Sequence, residues 1–204
     1  MVYFWGMLSK ADKTRIHIIE KAAPLFNAKG YAATSMSDIL KATGLAKGGV
    51  YGNFSSKDEI AVEAFDYSYR KVMEAIRFKT RQESTASGKL NAIYKFYRNY
   101  TVNPEVDGGC PILNTAIDAD DNLPFLKRKA AAALQETLSA LEMIISNGVA
   151  SGEFRATLDP KKEASFIFGL IEGGIMMSKL TDSPVLLNQL LETLKEQLNE
   201  RYIN

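Results

Sequence analysis

The sequence predicts an all-α protein, and three observations carry that reading. Apolar residues recur at helical spacing along most of the 204 residues. No run alternates as a half-buried strand would. Cap residues, in pairs such as Ser35 with Asp38 and Asp159 with Pro160, stand where the periodic stretches begin.

In the first helix Ile16, Ile19, Ala23 and Phe26 form one stripe that ends near Gly30, and Pro24 is expected to bend or loosen it. Ser35, with an acid three residues on at Asp38, caps a second, short helix. Met36, Ile39 and Leu40 are its apolar face, and Gly44 supplies the left-handed residue that stops it. A third short helix spans about Ala46 to Gly52 and contains Gly48, Gly49 and Gly52. Each glycine costs a helix about 1 kcal/mol against alanine, so this helix needs support from its neighbours. Ser56, Lys57, Asp58 and Glu59 read as a cap and acidic first turn of a long helix to about Gln82, with Ile60, Ala64, Phe65, Val72 and Ile76 inward. At 1.5 Å per residue this connector is roughly 40 Å long.

The polar stretch 83–89 reads as a break and boundary, followed by an aromatic-rich helix over 90–102. Helices then start near Cys110–Pro111, at Pro124, and at Pro160 behind its Asp159 cap. Ser183–Pro184 is expected to repeat that device for a last helix carrying Leu187, Leu190, Leu191, Leu194 and Leu198. The total is nine or ten helices in the periodic pattern.

Composition narrows the chemistry. One cysteine excludes an intrachain disulfide, and with one histidine, His17, it leaves no metal-ligand cluster and no histidine-based catalytic pair. No cofactor is implied, and no enzyme. Residues 1–57 hold eight Lys/Arg against three acids, whereas the rest holds 17 against 21. A basic head on a mildly acidic body suits a polyanion partner. The opening MVYFWGML is too short to span a bilayer and lacks the features of a signal peptide. A cytoplasmic protein without a membrane partner is therefore expected, with Met7 as the natural start and residues 1–6 an appendage.

Two short helices joined by a glycine turn are the helix-turn-helix arrangement. The sequence IIEKAAPLFNAKGYAATSMSDILKATGLAKGGVYGNFSSKDEIAVEAF, residues 18–65, resembles the DNA-binding domain of the TetR family of bacterial transcriptional regulators. The resemblance rests on the run from Ala22 to Tyr31, on Thr34, on Thr43-Gly44-Leu45, and on Gly48, Tyr51, Phe54, Lys57 and Glu59. It implies a helix-turn-helix domain over 9–55, a helical ligand-binding and dimerisation domain over 56–204, and double-stranded operator DNA as partner.

The DNA-binding candidates are Thr34, Ser35, Ala46, Lys47, Gly48, Gly49, Tyr51, Asn53 and Lys57. Lys47, at the start of the third helix, can donate to guanine O6/N7 or a phosphate, or stand solvated. The resemblance gives Tyr51 and Lys57 backbone phosphates. Thr34 and Ser35 can present hydroxyls and N–H groups to another. Phe54, Val50 and Leu45 read as core, and His17 as facing solvent or a neighbour on its own helix. Ala46 and Gly52 depart from the family by lacking larger side chains.

In the body the resemblance thins to the Gly-Cys-Pro-x-x-Asn segment from Gly109 to Asn114 and the junction 151–160. Candidate lining for a small-molecule pocket is Phe96, Tyr97, Tyr100, Ile112, Leu113, Asn114, Ile117, Phe166, Glu172 and Met177, each open to a plain core role. Glu172 would meet a cationic ligand or sit at a dimer rim. Cys110 reads as structural or as a redox sensor. Two stripes, Phe166, Gly169, Leu170, Gly173 and Met177, then Leu187, Leu190, Leu194 and Leu198, would form a four-helix interface in a homodimer. The expected function is a ligand-released repressor, with a constitutive DNA-binding protein as the alternative and activation left open.

Overall fold

A computed structural model describes residues 9–119 and 122–203, and the appendage expected over residues 1–6, with Met7, lies outside them. The described residues form α1 (Lys10–Ala33), α2 (Met36–Thr43), α3 (Lys47–Tyr51), α4 (Lys57–Thr80), α5 (Ala86–Arg98), α6 (Pro111–Asp118), α7 (Pro124–Ala150), α8 (Pro160–Leu180) and α9 (Val185–Gln197). A π-helical turn, Leu198–Tyr202, follows. Among the described residues the only extended pairing is one isolated bridge, Phe154 to Ile203. The all-α expectation holds.

Two compact units divide the chain. The first runs to Arg70 and takes in Val106–Ala130; the second comprises Lys71–Glu105 and the residues from Ala131 on. The chain therefore passes between units three times, within α4, before Val106 and within α7.

In the first unit, α1 buries Ile18, Ile19, Ala22, Ala23 and Asn27. That face is centred on Ile18 and Ala22, beside the stripe the spacing predicts. α1 runs on through Pro24, and its non-helical residue is Gly30, at φ 81° and ψ 170°. The expected bend at proline thus falls six residues later, where only glycine adopts the backbone freely. The Asp118 carboxylate accepts from Tyr31 N–H at 2.5 Å beside this kink. Tyr31 then packs between Phe26 and Phe125, with ring centroids 6.2 and 5.8 Å away. α6 is tied to α1 by Asn114, whose Nδ2 donates to the Asn27 and Gly108 carbonyls at 2.9 and 2.8 Å.

α2 begins and ends as local chemistry dictates. Ser35 and Asp38 form a complete capping box, and Gly44 closes the helix at φ 68°. All five residues expected inward on α4 are buried.

In the second unit the boundary expected over 83–89 is shorter. α5 starts at Ala86, so Ser87 and Gly88 are helical. Glu153 explains this: its carboxylate accepts from Ala86 and Ser87 N–H at 2.7 and 2.8 Å, and Thr85 caps Gly88 N–H at 3.0 Å. Burial, the largest single influence, pushes the Glu153 pKa up, and the Ser87 side chain, then the Ser87 and Ala86 amides, together hold it below its ordinary value. α8 opens on Asp159 and Pro160 as expected. At α9 the cap position belongs to Pro184, not Ser183, whose hydroxyl takes Val185 N–H at 3.4 Å. Leu187, Leu191, Leu194 and Leu198 are all buried within the protomer. Leu187 packs so closely that a Cβ on Gly174 of α8 would lie 2.7 Å from its Cδ1.

Candidate functional site

α3 is too short to stand alone. It is held from behind by Val50 and Phe54, which join Ile18, Ile19, Ala22, Ile39 and Ile60 in one buried cluster. Arg15 fixes the turn that follows. Its guanidinium lies 4.0 Å from the Phe54 ring centroid, donates to the Asn53 carbonyl, and pairs with Glu59 at 2.5 Å and with Glu63. Glu59 also accepts from Ser55 N–H and Oγ, both at 2.8 Å. Arg15 first, then Ser55, hold the Glu59 carboxyl down to about 2. Sequence reading missed Arg15; the available signal was the acidic pair Glu59 and Glu63, one turn apart on α4.

With its back fixed, α3 turns Ala46, Lys47, Gly48, Tyr51 and Gly52 outward. Tyr51 is 44% exposed, and Lys47 Nζ lies 5.6 Å from its ring centroid. None of the three glycines has a positive φ. A Cβ on Gly48 would meet nothing within 4 Å, one on Gly49 only Leu45 at an ordinary 3.5 Å, and one on Gly52 the Gly48 carbonyl oxygen at 2.9 Å. The fold therefore does not require Gly48. Its outward face is one lysine, one tyrosine and bare backbone.

The remaining head candidates have internal partners, which corrects their expected display. Thr34 is fully buried, and its hydroxyl donates to the Gly30 carbonyl at 2.7 Å. Ser35 is exposed, and its Oγ and N–H both donate to the Asp38 carboxylate, at 2.6 and 2.8 Å, within the capping box. Asn53 Nδ2 donates back to the Gly49 carbonyl at 2.8 Å. Lys57 Nζ donates to the Tyr31 and Thr34 carbonyls at 3.0 and 3.1 Å and lies 3.9 Å from the Tyr31 ring centroid. The Tyr31 hydroxyl donates to Asp58, and burial first, then that carboxylate, push its pKa up to about 12. His17 Nε2 lies 2.9 Å from the Thr43 carbonyl, so its partner is on α2 rather than on its own helix.

The second unit contains an apolar cavity of about 80 Å³ within a cleft of about 510 Å³. A pocket in the first unit, beside Asn27, Tyr31 and Asp118, holds only about 20 Å³. Met73, Ile76, Arg77 and Thr80 of α4 line the cleft, with Ile93 and Tyr97 of α5. Thr137, Ala140, Leu141 and Ile144 of α7 and Phe168 and Ile171 of α8 complete it. Of the predicted lining only Tyr97 is present. Phe96 and Tyr100 pack on Tyr97 behind it, with centroids 5.0 and 5.3 Å from its own. Ile112, Leu113, Asn114 and Ile117 belong to the other unit, where Asn114 serves the Asn27 network and Ile117 is 69% exposed. Phe166 and Met177 lie on the opposite side of α8 from Phe168, and Glu172, one turn beyond Phe168, is half-buried outside the lining. Sequence reading treated α4 as connector and core and did not weigh α7.

α8 also turns an apolar stripe outward. Phe166, Met176 and Leu180 are 39%, 44% and 78% exposed, and a Cβ on Gly169 or Gly173 would meet nothing within 4 Å. Of the α9 residues predicted to share an interface, Leu187 and Leu194 face inward and Leu190 is half-buried. No helix among the described residues is long and apolar enough to cross a membrane.

Comparison with known proteins agrees with this geometry. Residues 18–64 match the family model described as bacterial regulatory proteins, tetR family. Residues 86–194 match the model described as tetracyclin repressor-like, C-terminal domain. A TetR transcriptional regulator from Chloroflexus aurantiacus J-10-FL superimposes with a TM-score of 0.92 at 34% identity, covering 96% of this chain and 99% of that one. A TetR family regulator from Cytophaga hutchinsonii gives 0.89 at 36% identity, over 97% and 98%. The fatty acid metabolism regulator protein of Bacillus subtilis (strain 168) is 25% identical over 190 residues, 91% of this chain and 96% of that protein. A helix-turn-helix head with an outward third helix, joined to a helical body that matches throughout, places the chain in the TetR family: it is a transcriptional regulator, not an enzyme.

Proposed function

We propose that the chain is a ligand-responsive repressor that binds a pseudo-palindromic operator as a homodimer and leaves it when a small molecule occupies the body. On this reading residues 9–55 are the DNA-reading head, and 56–204 bind the ligand and the second protomer. The observation that carries it is the outward face of α3, where Lys47 and Tyr51 flank bare glycine backbone. Glycine lets the helix approach the sugar-phosphate wall of the major groove closely, with Tyr51 and Lys47 at phosphate or base edges. Two heads would sit in successive grooves about 34–36 Å apart. The exposed α8 stripe, with Gly169 and Gly173 permitting close helix approach, supports a symmetric pairing of protomers. The unit-two cavity supports a ligand, and a coupling of about 1–3 kcal/mol is enough for release at physiological salt.

The test is operator binding by fluorescence anisotropy, with the DNA selected from random sequence. Two protomers per site are expected, with affinity falling linearly on a log–log salt plot and the slope shrinking by about 1 in Lys47→Ala. Salt-independent binding, unchanged by Lys47→Ala and Tyr51→Phe, contradicts the proposal.

A further inference from the structure

The cleft in the second unit has a definite electrical character. Among its lining residues Arg77 is the sole charged side chain, and no carboxylate joins it. Glu172, the acid that sequence reading offered to a cationic ligand, is not part of the lining. Arg77 and Thr80 stand one turn apart on α4, so the cleft's one charge sits at one end of its α4 wall. The rest of the lining is apolar except for two other hydroxyl-bearing residues, Tyr97 and Thr137, and the Thr137 hydroxyl is spent on the Ala133 carbonyl at 2.9 Å. The C-terminal turn of α4 adds partial negative charge from its carbonyls, so the Arg77 guanidinium alone sets a positive sign there.

Arg77 is also held loosely. Its Nη2 donates to Glu136 Oε1 at 2.7 Å, and the two side chains are 49% and 51% exposed. An ion pair that open to water contributes little, so a carboxylate arriving from the cleft can replace it at small cost. A ligand carboxylate on the cleft side would be less hydrated than Glu136, and its charge-assisted bond to arginine correspondingly stronger.

We infer that this cleft selects an apolar ligand with a single anionic end, a medium-chain carboxylate by class, and that Glu136 is the group the ligand displaces from Arg77. This rests on the ligand-responsive reading above and gives it a chemical class.

The experiment titrates the full chain calorimetrically with decanoate, decanol and decylamine, each below its micelle threshold. Decanoate is expected to bind tightest. Arg77→Gln should weaken decanoate about tenfold or more while moving decanol little. Glu136→Gln should tighten decanoate alone, an effect that a purely structural ion pair would not produce. Equal or tighter binding of decylamine, an Arg77→Gln variant with wild-type decanoate affinity, or no binding by any of the three overturns the inference. The broader reading fails separately if decanoate binds as described, Ala140→Phe (of unchanged melting temperature) abolishes that binding, and operator affinity never responds to it.

Discussion

Lys57 Nζ donates to the Thr34 carbonyl at 3.1 Å, tying the first turn of α4 to the end of α1. With Tyr31 as second acceptor at 3.0 Å, the ammonium adds to the cap of α1, where the Tyr31 carbonyl also accepts the Thr34 N–H at 3.4 Å. Lys57→Ala is expected to lower unfolding free energy by about 1.5–3 kcal/mol, the range for bonds to a charged group. Urea denaturation reads this directly. Wild-type stability combined with lost operator affinity would return Lys57 to the role of a phosphate ligand.

The kink of α1 depends on Asp118. Its carboxylate accepts from Tyr31 N–H at 2.5 Å, and a Cβ at Gly30 would lie 2.8 Å from its Oδ1 in a backbone at φ +81°. Gly30→Ala therefore meets both strain and a clash, whereas Asp118→Ala loses only the charged acceptor. Both should destabilise, Asp118→Ala by about 1.5–3 kcal/mol. The double variant should recover part of the Gly30→Ala loss, since the clash is gone. Strict additivity in thermal or urea melts would argue against this contact.

Acid should loosen the turn after α3. The folded protein holds Glu59 at about 2, against an ordinary 4.5, through Arg15 first and then Ser55. A carboxyl depressed in the folded state contributes stability that is fully present above about 4.5 and is lost as pH falls toward about 2. Across that window wild type should lose more unfolding free energy than Glu59→Gln. Parallel curves would show that Glu59 is not coupled to folding.

The exposed apolar stripe on α8 should be covered in solution. Met176→Glu with Leu180→Glu places two charges on residues that are 44% and 78% exposed, so the protomer should keep its fold. Sedimentation equilibrium should show a dimer for wild type and a monomer for the pair. A persistent dimer would move the interface elsewhere.

Local chemistry was legible in the sequence. The Ser35–Asp38 box, the Gly44 stop and the Asp159–Pro160 start each involve residues within a few positions, and each forms as expected. Partners far along the chain were not. Lys57 reads as a phosphate ligand until the end of α1, 23 residues earlier, is folded against it. The start of α5 looks like linker until Glu153, 67 residues on, caps it. The α9 leucines show a stripe, but periodicity cannot say whether a stripe meets its own chain or another; Leu187 and Leu194 meet their own.

The candidate site follows the same division. Val50 takes its buried side from helical spacing, and Phe54, just past α3, is buried as read; Tyr51 and Lys47 are exposed, as their positions in the resemblance and at the helix start lead one to expect. The cavity lining is assembled from four helices, so only Tyr97 was anticipated.

The most direct measurement is Gly48→Ala, followed by unfolding and by operator binding. A Cβ there meets nothing within 4 Å and the backbone is ordinary helix, so stability should stay level or rise by about 0.4–1 kcal/mol. If the bare face of α3 lies against DNA, operator affinity should nonetheless fall by about tenfold, roughly 1.4 kcal/mol. Unchanged affinity in a protein of equal or greater stability would contradict the account, because Gly48 would then serve neither the fold nor the DNA.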